Sequence, residues 1–149
     1  MQEKQIEEIA VNKIIEFAKT QTSEVWHQMV IDWNWDSYKG FLEWLIDHPG
    51  TDKATILMIY WKSAPGNGFT KKQIIEERYR NGYYKQQSFS FDPQDDEGDN
   101  WVSYLSVAGR AAVPEEMFQK LNGTHISWPE GFIEGMPEAL FYEIEELYE

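Results

Sequence analysis

The run Ala54 to Trp61, ATILMIYW, constrains this chain most. Eight residues in a row offer almost no polar face, so the element they form must be buried on all sides. Periodicity alone does not separate a buried helix from a buried strand. Ala, Leu and Met favour a helix; Thr55, two Ile and Tyr60 favour a strand. Thr51 or Asp52 can cap a helix at the front, and Ala64-Pro65-Gly66-Asn67-Gly68 ends it behind. The brackets decide for a buried helix.

The flanking segments read as amphipathic helices. EKQIEEIAVNKIIEFAKTQ sets Ile6, Ile9, Ala10, Ile14, Phe17 and Ala18 near helical spacing without Gly or Pro. Thr22 or Ser23 can cap a second helix carrying Val25, Trp26, Met29 and Val30. Asp36 or Ser37 can cap a third, bearing Phe41 to Ile46 and stopped at His48-Pro49, because the residue before proline is pushed out of the α region. FTKKQIIEERYRNG reads as a further helix, with Thr70 as cap and Asn81-Gly82 as its left-handed end. YYKQQSFSFDP alternates and is aromatic; WVSYLSVAGRAAV is open between strand and helix. Pro114 opens a short helix running to Leu121-Asn122-Gly123. SWPEGFIEGMP is a loop, and PEALFYEIEELYE is a last helix with an acidic face. The expectation is a mainly α, single-domain multi-helix bundle over residues 1–149, with a small β-hairpin around residues 88–106.

Charge is uneven along the chain. Residues 1–91 hold 12 acids and 11 bases, whereas residues 92–149 hold 14 acids against only Arg110 and Lys120. The net charge of −13 therefore falls almost wholly on the last two-fifths. Such a field repels phosphate backbones and attracts basic partners, which argues against nucleic acid. The plainer alternative is that acidity keeps a Trp-rich chain dissolved. Cysteine is absent, so disulfides, thiolate catalysis and cysteine metal sites are excluded. No run approaches the ~18 apolar residues of a membrane span. MQEKQIEEIA lacks the apolar core of a signal peptide, so a cytoplasmic location is expected.

Catalytic motifs find no support. His27, His48 and His125 form no HExxH pair, and chance neighbours such as Glu24 and Asp47 do not make a zinc site. The acidic loop Asp92, Asp95, Asp96, Glu97, Asp99 invites a calcium reading. With Gly98 at the sixth position, however, the first position is Pro93 and the twelfth Tyr104, and the EF-hand pattern fails. There is no GxSxG, and APGNG is the wrong arrangement for a phosphate cradle. Neither a metal nor a cofactor is expected.

The stretch DWNWD, Asp32 to Asp36, reads as a helix start. Asp36 can cap and favour the helix dipole, and Asn34 tolerates a tight connection. Trp33 and Trp35 pack across the junction of the second and third helices, each indole N–H needing a partner. On this reading Asp36→Ala costs about 0.5–2 kcal/mol. NWD at 34–36, LIDHP at 45–49, TDKATILMIYW at 51–61 with Asp52 and Trp61, and Pro65 together resemble a bacterial family known only as a domain of unknown function, number 4274, over roughly residues 30–66. Thr51 stands where that family usually has Cys, and Ile56 where it usually has Ala. The resemblance implies a soluble bacterial helical protein and brings no catalytic residue. Small acidic bacterial proteins of this kind are often partners of secreted toxins.

The expected function is a non-enzymatic module that binds a basic protein. The most specific form is an immunity or antitoxin-type protein neutralising a basic toxin such as a nuclease. The expected contacts are Asp92, Asp95, Asp96, Glu97 and Asp99, with Glu138, Glu145 and Glu146. Trp101, Tyr142 and Tyr148 would be anchors. The alternatives are a small hydrolase using paired carboxylates in a cleft near Trp33, Trp35 or Trp61, and a general adaptor.

Overall fold

The computed structural model describes residues 2–63 and 71–149. The Ala64-Gly68 loop and the Thr70 cap expected from the sequence lie outside those residues. The described chain is mainly helical: α1 (Glu3–Lys19), α2 (Ser23–Ile31), α3 (Lys39–Asp47), α4 (Lys53–Lys62), α5 (Lys72–Arg80), α6 (Val107–Ala111) and α7 (Glu138–Leu147). One antiparallel pair joins β1 (Phe132–Ile133) to β2 (Met136–Pro137). Backbone contacts divide the chain into two compact units: a split unit of residues 1–47 and 127–149, and a central unit of residues 48–126.

The split unit is built on amphipathic helices. Ala10, Ile14 and Ala18 of α1, Met29 and Val30 of α2, and Phe41, Leu45 and Ile46 of α3 supply its buried side chains, with Ile144 from α7. Helices α1 and α3 approach closely at Gly40, where a Cβ would lie 2.9 Å from a Val11 methyl. Thr22 caps α2 as expected, accepting from the Val25 N–H at 3.4 Å. The Trp26 indole N–H donates to the Ala18 carbonyl at 2.8 Å, tying α2 to the end of α1.

The third helix corrects its expected start. It opens at Lys39, and the residue before it is Tyr38 at φ 51°, in the left-handed region. Asp36 is exposed and lies outside the helix. Its backbone N–H is taken instead by the Asn34 Oδ1 at 3.1 Å, a side-chain-closed turn of the kind Asn favours. DWNWD is thus a clasp rather than a cap. Trp33 is buried, its ring 4.9 Å from Phe41 and its N–H donating to the Ser37 carbonyl at 3.1 Å. Trp35 is half-buried.

The strand pair also lies elsewhere than expected. Residues 88–106 form no hairpin: Phe89 bridges Thr124 and Phe91 bridges Leu121 singly, Asp96 bridges Asp99, and Trp101–Tyr104 is one 3-10 turn. The hairpin sits in FIEGMP, read above as loop. Glu134 and Gly135 form its two-residue turn with φ of 50° and 85°, the left-handed pair that matches strand twist. The expected helix from Pro114 to Gly123 shrinks to a 3-10 turn, Glu115–Phe118. Leu121 pairs with Phe91 instead.

The central unit is organised by α4. All of Ala54 to Trp61 is buried, as the opening run requires. Ile75 and Tyr79 of α5 are buried in the same unit, as are Tyr84, Phe89, Phe91 and Met117. The Trp61 indole N–H donates to the Met117 carbonyl at 2.7 Å. The end of α5 follows the expected glycine stop: Gly82 takes φ 76°, and the Tyr83 N–H returns to the Arg78 carbonyl at 3.1 Å.

Candidate partner-binding surfaces

Asp52 is the most constrained polar side chain of the central unit. It is fully buried. Its Oδ1 accepts from the Ala54 N–H at 2.9 Å, capping α4. Its Oδ2 accepts from the Ser88 N–H at 2.6 Å and from Gln86 Nε2 at 3.3 Å. One carboxylate therefore closes a helix and pins an extended segment more than thirty residues away. Burial, and then the Asp52 charge, push the Tyr79 phenol up to about 12. Burial and the Tyr60 O–H···Glu76 Oε2 bond of 2.6 Å raise Tyr60 as well. Lys72 reaches the same Glu76 oxygen at 2.6 Å. Asp52, Tyr60, Glu76 and Lys72 are hydrogen-bonded groups, buried or half-buried, with a structural task.

The acidic loop of the central unit is largely bonded to itself. Asp92 Oδ1 accepts from the Gln94 N–H at 2.9 Å, and Asp95 Oδ1 from the Gly98 N–H at 3.3 Å. Asp96 Oδ2 takes the Trp101 indole N–H at 3.0 Å and lies 3.8 Å from Lys62 Nζ. Glu97 meets His125 Nε2 at 2.9 Å. Asp95, Glu97 and Asp99 nevertheless remain exposed, whereas Asp96 and Trp101 are half-buried. The exposed aromatic of this region is Tyr104, 72% accessible, whose ring lies tilted against Trp101 at 5.8 Å between centroids. Sequence reasoning named Trp101 and missed Tyr104. Tyr104 lies in WVSYLSVAGRAAV, a segment open between strand and helix, so no periodicity marked which of its apolar side chains would face solvent.

The other expected contacts sit in the split unit, on α7. Glu138, Tyr142, Glu145, Glu146 and Tyr148 are all exposed, and α7 carries no base. Its link to α1 is the Lys13 Nζ–Glu143 Oε1 pair, 2.7 Å long and open to solvent. Beside α7 an open groove of about 600 Å³ is lined by Glu3, Lys4 and Glu7 of α1, by Asp36, Ser37 and Tyr38, and by Glu145 and Tyr148. It brings DWNWD together with the acidic helix. Burial and a hydrogen bond to Tyr148 raise the Tyr38 phenol, and Glu145 and Glu134 add to the shift. Asn34 Nδ2 donates to Glu134 Oε1 at 2.8 Å, and Asp32 Oδ2 accepts from the Gly135 N–H at 2.9 Å, so the hairpin clasps the back of this segment.

Folding regroups the charge. The split unit holds 16 acids and 4 bases, a net of −12, while the central unit holds 10 acids and 9 bases, a net of −1. The sequence order put the excess after residue 91; the fold joins residues 1–47, with nine acids and four bases, to residues 127–149, with seven acids and no base, and leaves the 92–99 loop in a nearly neutral unit.

Among the described residues no group of three or more His, Asp or Glu side chains is arranged to hold a metal ion, and no helix is long and apolar enough to cross a membrane. The fold and surfaces define a mainly α protein with one strongly acidic unit. Residues 21–80, from α2 through α5, match the family described as Domain of unknown function (DUF4274), the family that the 30–66 motifs resemble. No curated protein and no solved structure matches the chain.

Proposed function

We propose that the protein is a non-enzymatic binding module for a basic protein, of the immunity or antitoxin type, acting in the cytoplasm. The observation that carries this reading is the net charge of −12 gathered in the split unit. A second feature of α7 supports it. The C-terminal end of a helix bears partial negative charge, so acids there are unfavourable, each by a few tenths of a kcal/mol up to about 1. Glu145 and Glu146 occupy that end with no base in the last turn. Acids kept at that end without a base in the last turn suit a surface that meets an external cation. Lys and Arg side chains of the partner would lie along Glu138, Glu145 and Glu146 and enter the Tyr38/Tyr148 groove. Exposed Tyr142 and Tyr148 would supply desolvated contact area. Charge sets the association rate, and the phenols set the residence time.

The test is co-expression with the secreted toxin domain encoded by a neighbouring gene. The expected result is protection of the cell and a complex recovered in pull-down. Protection should be lost when Glu138, Glu145 and Glu146 are changed to Lys together. If every adjacent candidate toxin stays fully active and unbound, the reading is wrong.

A further inference from the structure

Among the described residues of the central unit, the large apolar side chains left most open to solvent lie between Trp101 and Ala112. Tyr104 is 72% accessible and Val107 87%. Every residue of α6 is exposed or half-buried, and Ala108, Ala111 and Ala112 are exposed. A helix buries an apolar stripe to offset its ordering cost; α6, only five residues long and capped by Ser106 Oγ on the Gly109 N–H at 3.0 Å, is held in place without doing so. The face runs into an open groove of about 640 Å³ whose lining includes Ala111, Val113 and Pro114, with the Arg80 Nε–Glu116 Oε1 pair of 3.1 Å on its wall.

Its near edge is acidic. The Trp101 N–H donates to the Pro93 carbonyl at 2.9 Å, and the Trp101 indole to Asp96, so the 92–99 loop lies against the turn that presents Tyr104. Exposed Asp95, Glu97 and Asp99 belong to that loop. Of the bases near the face, Lys62 faces Asp96 at 3.8 Å, Lys72 is paired with Glu76 at 2.6 Å, Arg80 is paired with Glu116, and Arg110 lies on α6 itself.

We propose that Tyr104, Val107 and the alanines of α6 form a docking face for a polypeptide segment whose apolar side chains are flanked on one side by Lys or Arg. The occupant follows from complementarity. An apolar centre takes apolar side chains, the Asp95–Asp99 edge takes cations, and Arg110 disfavours a cation at the far end. An exposed apolar surface with a polar rim is the usual mark of an interaction site. This face belongs to the nearly neutral unit, so it stands whether or not the split unit binds a basic protein.

The test uses a synthetic peptide with three leucines spaced to form one helical face and lysines at one end, titrated into the whole 15N-labelled protein. The expected result is amide shifts centred on residues 95–112. Tyr104→Ala with Val107→Ser should weaken binding at least tenfold, and Asp95→Asn with Asp99→Asn should remove its salt dependence. Both side chains of the first pair are largely in solvent, and an unchanged circular dichroism spectrum confirms that the fold is kept. Three results overturn the proposal: shifts confined to α7 residues, equal binding of an all-lysine peptide by the double variant, or concentration-dependent self-association abolished by Tyr104→Ala. The first leaves the basic-partner reading standing, the second reduces the contact to charge alone, and the third makes the face a contact between copies of this chain.

Discussion

The two units of this protein divide its chemistry. The central unit has nearly balanced charge and a helix, α4, that is buried along its whole apolar run. The split unit packs one-sided helices and carries almost all of the net negative charge. The difference teaches that the residues that mark the family and those that concentrate the charge need not coincide. The most distinctive sequence, TDKATILMIYW, is spent on core and on the Asp52 latch. Most of the split unit's charge comes from residues 127–149, with seven acids and no base, outside the matched segment 21–80; residues 21–47, within it, add five acids and one base.

The contrast breaks most readily at Trp61. Trp61→Ala removes a buried ring and the bond to the Met117 carbonyl. Loss of a core Trp costs about 3–5 kcal/mol, and urea denaturation should show it; a loss near zero would mean that α4 does not anchor the central unit. Asp52→Ala comes next. A lost cap costs about 0.5–2 kcal/mol and the lost bond from the Ser88 N–H to a carboxylate about 1.5–3, so stability should fall by roughly 2–5 kcal/mol in all, read as a lower urea midpoint.

On the split unit the sign reverses. Glu146→Lys puts a cation at the end of α7 and should raise stability by about 0.3–1 kcal/mol, read as a higher thermal midpoint, while weakening binding of a basic partner. A drop in stability would show that the acids of α7 are satisfied within the protein. Asp36→Ala is the smallest effect. Asp36 is exposed and caps nothing, so the change should stay within about 0.5 kcal/mol, well below the value expected for a lost cap.

How far the sequence revealed this follows from the range of each interaction. Helix α4 was legible because its cap, Asp52, and its apolar run are adjacent. The second task of Asp52, holding Ser88 and Gln86, was not, since nothing local marks a partner more than thirty residues away. The cap at Asp36 was misplaced because Asn34 Oδ1 closes a turn on the Asp36 N–H and the left-handed Tyr38 delays the helix to Lys39. The hairpin hid in strands of two residues joined by Glu134-Gly135, without the Asn-Gly signal and with Pro137 at its edge. In the candidate sites, the exposed acids of α7 could be read from helical spacing. Their union with Glu3, Glu7 and Tyr38 in one groove required the fold that sets α7 against α1. Tyr104 and Val107 were overlooked because apolar residues in an ambiguous segment default to core.

The central claim is that the charge of α7 steers a basic partner. It is tested most directly by the association rate with the neighbouring toxin domain, measured by stopped flow at about 50 and about 200 mM salt, across which the screening length shortens from roughly 14 to 7 Å. The rate should fall about tenfold or more for the natural chain, and the fall should largely vanish when Glu138, Glu145, Glu146 and Glu149 are all changed to Gln. A rate indifferent to salt, or a salt dependence that survives those four changes, would contradict the account.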